Sequence, residues 1–169
     1  MKSAAKKWAY IGVFTALSLI CFLIENLLPP LFIPGARIGV GNVFIMLAVV
    51  LYSLPEAALL LIAKCLLSAL FGGVISLFYS AAAGAVSLVI TFVLVRAFSG
   101  KISVTAIAAV SAVVHNLTQL CVFALVTRAK ETFIYAPYLA LAGVAAGTVT
   151  GLIAFIILKY FPFETKESS

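Results

Sequence analysis

The stretch LPPLFIPGARIGVGNVFIML, residues 28–47, lies between two long apolar runs and contains three prolines and three glycines. Proline and glycine are the residues least compatible with a helix interior. The same stretch places one arginine, Arg37, and one asparagine, Asn42, in otherwise apolar surroundings. It therefore predicts a loop that divides two apolar helices and carries polar groups to their ends.

The composition of the 169-residue chain extends this prediction to the whole protein. Hydrophobic residues make up 65% and charged residues 9%, and the mean hydropathy is +1.28. Soluble domains contain about 25% charged residues, whereas a membrane-spanning helix needs about 20 mostly apolar residues. We expect one transmembrane domain over residues 1–169, with short cytoplasmic termini at about 1–7 and 162–169 and no soluble domain.

The breaks in the apolar sequence predict an all-α bundle of six transmembrane helices. The strongest breaks are Pro29-Pro30, Leu54-Pro55 and Gly72-Gly73. Spans two and three are short, so we expect them to be tilted, broken or sheltered by neighbours. The first span lacks a signal-peptide cleavage pattern and is predicted to be retained. The six spans cover about 8–28, 38–53, 57–71, 74–98, 102–127 and 135–161.

The distribution of lysine and arginine predicts the orientation, because cytoplasmic loops are enriched in these residues. With the amino terminus inside, three cations face outward: Arg37, Arg128 and Lys130. Seven face the cytoplasm: Lys2, Lys6, Lys7, Arg96, Lys101, Lys159 and Lys166. Both termini are then cytoplasmic and the Arg37 loop is external. The net charge of +6 is explained by the membrane rather than by a nucleic acid.

The residues needed for common catalytic sites are scarce. The chain has no aspartate and only five glutamates, so a carboxylate cluster that holds Mg²⁺ is not predicted. It has one histidine, His115, and no phosphate-binding loop of the G-x-x-x-x-G-K-[ST] type. We therefore expect no metal, no cofactor and no enzymatic activity.

Polar residues that interrupt the apolar spans are the candidates for a site, because such residues are costly in a membrane. Ser111, His115 and Gln119 are four residues apart and share one face of span five, with Asn116 about 100° away. The other candidates lie on spans one to three, also toward the outer side. The complete set of candidate substrate-binding residues is Glu25, Arg37, Asn42, Lys64, His115, Asn116 and Gln119.

These polar residues have two interpretations. They can hydrogen-bond one another between helices, as polar residues commonly do in membrane proteins, or they can line a ligand pocket open to the outside. Their concentration in the outer half favours the pocket. If Lys64 pairs with Glu25, Arg37 lacks an intramembrane partner, which predicts a small, amphipathic and anionic ligand.

Small residues spaced three or four apart form two ridges at which helix backbones can approach closely. Gly143, Gly147 and Gly151 on span six are predicted to pack inside the bundle. The second ridge lies on the cytoplasmic half of span one, where it can serve either internal packing or a partner. It consists of Ala9, Gly12 and Ala16.

The chain resembles a known family over nearly its whole length. The most specific part of the resemblance lies in two segments, ENLLPPLFIPGARIGVGNVFIML (25–47) and AAVSAVVHNLTQL (108–120). They resemble the Gx transporter family, also labelled heptaprenyl diphosphate synthase component I. The chain is also similar to substrate-binding S-components of energy-coupling factor (ECF) transporters. The usual A-x-x-x-A motif of helix one has its nearest match in Gly12-x-x-x-Ala16.

The resemblance implies a function in uptake. S-components capture a vitamin-like molecule from outside, and a transmembrane T-component with two cytoplasmic ATPase subunits drives its release inward. The ligand would be a vitamin-like molecule or an isoprenoid or quinone precursor. Two alternatives remain open: a stand-alone secondary carrier with Glu25 or His115 as the proton-coupling group, and a membrane partner of an isoprenoid or quinone biosynthetic enzyme.

Overall fold

A computed structural model describes residues 2–27, 39–98 and 101–161, apart from the side chains of residues 2, 3, 26 and 72–76. The chain in these ranges is built from helices joined by short turns, which confirms the predicted all-α membrane bundle. A short 3₁₀ helix, Lys130–Tyr135, precedes the last helix. The α-helices are α1 (Lys2–Leu27), α2 (Asn42–Leu51), α3 (Leu54–Ala97), α4 (Val104–Thr127) and α5 (Ala136–Tyr160).

Five segments of these helices are long and apolar enough to cross a membrane, and they correspond to five of the six predicted spans. Two of them lie within α3 and are called here its first arm and its second arm. The segments are Ala4–Glu25, Leu54–Phe71 (the first arm), Leu77–Ala97 (the second arm), Val104–Thr127 and Lys130–Tyr160.

Helix α3 contains 44 residues and folds back on itself. A Cβ atom built on Gly84 would lie 2.5 Å from Cδ1 of Leu61, whereas a straight helix would hold these residues about 34 Å apart. The two arms are therefore separate spans, as expected. The first arm ends at Phe71, at the predicted break, and the backbone stays helical through Gly72 and Gly73.

Neighbouring helices pack antiparallel. Phe14 of α1 packs on Phe44 of α2, with ring centroids 5.9 Å apart, and Lys7 of α1 forms a 2.9 Å ion pair with Glu56 at the start of α3. Because each later span reverses the one before it, α1 begins and α5 ends on the same side of the bundle. We call this side the terminal face and the opposite side the loop face.

The glycine ridge of α5 lies directly against α4, which confirms its predicted role in internal packing. Cβ atoms built on Gly143, Gly147 and Gly151 would lie 2.5–2.8 Å from the nearest backbone atoms of α4. Real Cβ atoms do not approach backbone atoms so closely. The α4–α5 contact therefore depends on the absence of side chains at these three positions.

The small-residue ridge of α1 faces away from the bundle. Helix α1 packs through Ile11, Phe14 and Ser18, which are buried. No neighbouring atom of the described residues lies within 4 Å of a Cβ built on Gly12. All three ridge residues, Ala9, Gly12 and Ala16, are exposed on the bundle surface.

Helix α2 is too short to cross a membrane. Its ten residues extend about 15 Å, against about 30 Å for the hydrocarbon core. Eight of the ten are buried, as expected for a span sheltered by its neighbours. Its predicted limits, 38–53, were wider than the helix found, Asn42–Leu51. Since Leu51 lies near the terminal face, the α2 amino terminus at Asn42 lies about halfway across the bundle.

Candidate functional site

The site forms around the backbone turn that starts α2 in the middle of the bundle. Gly39 has a φ of +78°, a conformation that residues with a Cβ rarely adopt. Its carbonyl accepts a hydrogen bond from the Asn42 N–H at 2.9 Å, and the Val40 carbonyl accepts one from the Val43 N–H at 3.1 Å. The turn thus satisfies some of its own backbone N–H and C=O groups. It also directs the Asn42 side chain into the interior.

Two side chains of α1 hold this turn in place. The Glu25 carboxylate accepts a hydrogen bond from the Val40 N–H, and the Ser18 hydroxyl donates to the Gly41 carbonyl at 2.8 Å. A Cβ on Gly41 would lie 2.7 Å from the Ser18 carbonyl oxygen, so glycine permits the close approach to α1. Backbone that is not helical at membrane depth needs such protein partners, and Glu25 and Ser18 supply them.

Five of the seven predicted site residues come together beside this turn. Nζ of Lys64 donates to Oδ1 of Asn42 at 2.8 Å. A cavity of about 20 Å³ lies next to this pair and is called here the charged cavity. Glu25 and Lys64 bring opposite formal charges to it. The predicted residues that line it are Glu25, Asn42, Lys64, His115 and Gln119.

A second cavity, of about 40 Å³, continues past His115 toward the terminal face. Both cavities are lined by Gly39, Asn42 and His115, so they adjoin at these residues. The polar groups farther along the second cavity are hydroxyls, and we call it the hydroxyl cavity. They belong to Ser87 and Thr91 of α3, Ser111 of α4 and Thr150 of α5.

Gln119 has a buried acceptor that the protein does not satisfy. The residue is 7% exposed, and its Oε1 has no hydrogen-bond partner within the described part of the chain. Leaving such a group unpaired costs about 1–3 kcal/mol. Because Gln119 lines the charged cavity, a water molecule or a ligand group there can donate the missing hydrogen bond.

Of the two remaining predicted site residues, one makes a different contact and the other lies outside the described part of the chain. Asn116 lines neither cavity, and its Nδ2 donates to the Leu139 carbonyl of α5 at 3.1 Å. This hydrogen bond joins α4 to α5. It fits the alternative interpretation given above, in which the polar residues hydrogen-bond between helices. Arg37 lies outside the described residues, so its role in the site stays a prediction.

Three further residues of the cavities were not among those predicted from the sequence: Ser87, Thr91 and Thr150. Serine and threonine in membrane helices often bond to their own helix backbone, and Thr91 does so through the Ser87 carbonyl. A usable signal was present, however. Ser87 and Thr91 are four residues apart on one helix, like Ser111 and His115 on the next, and the antiparallel packing pairs them. The Ser87 Oγ to His115 Nδ1 distance is 3.3 Å, and the Thr91 to Ser111 hydroxyl distance is 2.7 Å.

The volumes show what the two cavities can hold in this conformation. One water requires about 10–15 Å³ by this measure, so the cavities accommodate a few waters or a small chemical group. Pockets for whole small-molecule ligands occupy about 300–1,000 Å³. A vitamin-sized molecule therefore requires the bundle to open around the α2 start. Among the described residues, no group of three His, Cys, Asp or Glu side chains could hold a metal ion.

We expect Lys64→Met to affect both stability and ligand binding, because it removes the ammonium while keeping most of the side-chain length. Loss of the charged hydrogen bond to Asn42 should cost about 1.5–3 kcal/mol of stability. The amount of small molecule that co-purifies with the protein, measured by mass spectrometry, should fall at least tenfold. Lys101→Met, at an exposed position, is the control. A less stable Lys64 variant that retains the full amount would make Lys64 purely structural.

Together, the fold and this site define a multi-pass helical membrane protein with a polar site at the start of a half-length helix. A sequence model of the heptaprenyl diphosphate synthase component I family matches residues 14–157. The chain belongs to this family, which confirms the resemblance found in the sequence. Comparison with curated proteins and with solved structures gave no match.

Proposed function

We propose that this protein is the substrate-binding membrane subunit of an ECF-type transporter and has no catalytic activity of its own. The observation that carries the proposal is the convergence of Glu25, Asn42, Lys64, His115 and Gln119 on one buried cavity. Four of them come from three different helices and meet at the backbone turn that begins α2. Ionisable groups assembled inside a membrane protein generally mark a substrate or ion pathway.

The exposed ridge of α1 supports a role for this subunit in a larger complex. Ala9, Gly12 and Ala16 present a surface without bulky side chains to the membrane. Small residues allow the backbone of another helix to approach closely, which favours helix association in lipid. In the proposed complex, the transmembrane T-component docks on this ridge, and two cytoplasmic ATPase subunits supply the energy.

The proposed ligand is a small amphipathic molecule with an acidic group, such as a vitamin or an isoprenoid or quinone precursor. Glu25 and Lys64 contribute opposite charges to the charged cavity, so the site has little net charge without Arg37. If the Arg37 loop closes over the site, its guanidinium adds one positive charge. An acidic group at the rim would balance that charge.

We further propose that the terminal face is cytoplasmic. Lys7, Arg96, Lys101 and Lys159 belong to helix ends and turns of the terminal face, whereas Arg128 and Lys130 lie at the loop face. This distribution supports the orientation predicted from the sequence.

A cysteine at position 36 should therefore react with a membrane-impermeant maleimide in intact cells. The variant Ala36→Cys is made in a chain in which Cys21, Cys65 and Cys121 are replaced by serine. Lys101→Cys in the same background is the matched control and should react only after lysis. The opposite pattern would reverse the orientation and place the polar loop inside.

The function is tested by identifying what co-purifies with the tagged protein. The proposal expects an ATPase pair with a transmembrane subunit, and a bound small molecule that mass spectrometry detects. The name of the matched family favours a second candidate, a membrane component of a heptaprenyl diphosphate synthase. Co-purification of a soluble prenyl synthase without ATPases would support that candidate. Uptake by the purified chain alone in vesicles would instead indicate a secondary carrier.

A further inference from the structure

The hydroxyl cavity lies on the far side of His115 from Glu25 and Lys64. Apart from Asn42 and His115, which it shares with the charged cavity, none of its lining residues is among the seven predicted site residues. Three helices line it with hydroxyl groups at one level of the bundle. Which groups it can bind depends on where the hydroxyl protons lie, because each hydroxyl donates one hydrogen bond and accepts up to two.

The protons of the first three hydroxyls are all used within the protein. Thr91 donates to the Ser87 carbonyl at 2.7 Å, so its 2.7 Å contact with Ser111 requires Ser111 to donate. The single proton of Ser87 can go to the Gly84 carbonyl at 3.1 Å or, in the tautomer whose Nδ1 carries no proton, to Nδ1 of His115 at 3.3 Å. Whichever acceptor Ser87 chooses, its proton is not available to a guest.

The fourth hydroxyl follows the same pattern, since Thr150 donates to the Gly147 carbonyl at 3.1 Å. Peptide N–H groups in the interior of a helix are likewise occupied by helical hydrogen bonds. The hydroxyl end of the cavity thus offers oxygen lone pairs and no free protons. Donors are found at the other end, where Lys64 contacts Asn42.

Charge decides between the possible donor groups. No carboxylate is among the described residues that line the hydroxyl cavity, so an ammonium group there would be a buried charge without a counter-ion, which is strongly unfavourable. A carboxylate would find no donor at the four hydroxyls. A neutral group with an O–H or N–H satisfies these lone pairs without either penalty.

We propose that the hydroxyl cavity binds a neutral hydrogen-bond donor, a hydroxyl or amide N–H, at the leading end of the transported molecule. The cavity of about 40 Å³ suits a group of a few atoms rather than a ring system. An acidic group of the same molecule stays behind, at the charged cavity beside Lys64. This inference rests on the proposed function. It adds which end of the substrate enters first, namely the end with the neutral hydrogen-bond donor.

Three molecules of nearly the same shape test this preference: acetamide, acetone and acetate. Acetamide carries N–H donors, acetone is neutral without a donor, and acetate is anionic without a donor. Saturation-transfer NMR on the methyl protons measures their binding to the protein in phosphatidylcholine nanodiscs, with empty nanodiscs subtracted. We expect saturable binding of acetamide, and binding of acetone that is weaker by about 2- to 10-fold or more, as for the loss of one hydrogen bond. Acetate can bind at the charged cavity beside Lys64, so its binding should not depend on the four hydroxyls.

The double variant Thr91→Val/Ser111→Ala removes two acceptor oxygens and should weaken acetamide binding by a similar factor. Thr148→Val is the matched control, because Thr148 is exposed and bonds only to its own helix at Val144. Thermal unfolding of both variants verifies that they are folded, and Ser111→Ala alone serves if the double variant is not.

The inference is overturned if acetone binds as well as acetamide, if the hydroxyl variants weaken acetate binding as much as acetamide binding, if acetamide shows no saturable binding, or if it binds the Ser111 variant unchanged. These outcomes leave the proposed function intact when the ATPase subunits and a small molecule still co-purify with the protein. Conversely, absence of those partners with intact acetamide selectivity would remove the transport proposal but retain the donor site.

Discussion

Gly147→Ala should destabilise the protein by about 1–3 kcal/mol, the usual cost of overpacking a tight interior contact. The new Cβ would lie 2.5 Å from Cα of Ala109 and 2.7 Å from the Ala108 carbonyl oxygen. Both are backbone atoms of α4, so the clash can be relieved only by moving a helix. Gly147→Leu should prevent α4 and α5 from packing and leave little folded protein in the membrane.

Gly12→Ala provides the control for this effect. It makes the same chemical change in another membrane helix, at a position with open space around the new Cβ. Alanine has the higher helix propensity, so the variant should be at least as stable as the wild type. Thermal unfolding in detergent compares the two variants, and equal stability would mean that the α4–α5 backbones are not in close contact.

Gly12→Leu should reduce uptake to background while leaving the isolated protein folded and able to retain its small molecule. A leucine on the exposed ridge of α1 touches nothing inside the bundle, but it keeps a second helix from approaching at the distance that Ala9 and Ala16 allow. The measurements are uptake of the molecule identified by mass spectrometry, and co-purification of the ATPase subunits. Both should be lost together.

Val13→Leu is the matched control, since Val13 is also exposed, at 52%, but lies outside the ridge. Normal uptake by this variant would show that an added leucine on α1 is tolerated elsewhere. If Gly12→Leu instead loses the bound molecule and keeps its partners, the ridge acts on the binding site and not on a docking surface.

The sequence predicted best those features that depend on the spacing of residues along a single helix. The spacing of Gly143, Gly147 and Gly151 is a property of one helix, and it predicted the face that packs. The same holds for His115 and Gln119, which share a face of α4 and line the charged cavity. Such patterns arise from helical periodicity alone, so no knowledge of the partner helix was needed.

Features that depend on contacts between distant segments were not predicted. The hydrogen bond from Lys64 to Asn42 was not foreseen, because it requires the α2 start to lie beside α3. The hydroxyls of Thr91 and Thr150 became part of a cavity only because their helices meet Ser111 there.

The half-length, enclosed helix α2 has a consequence for how the protein is made. Insertion into a membrane as an independent segment needs about 20 apolar residues, and α2 offers ten. Its buried residues include Phe44, Met46 and Leu47, which contact protein rather than lipid in the finished bundle. We therefore expect the longer helices to insert first during synthesis and α2 to enter between them afterwards, so that the binding site is completed as the last step of folding.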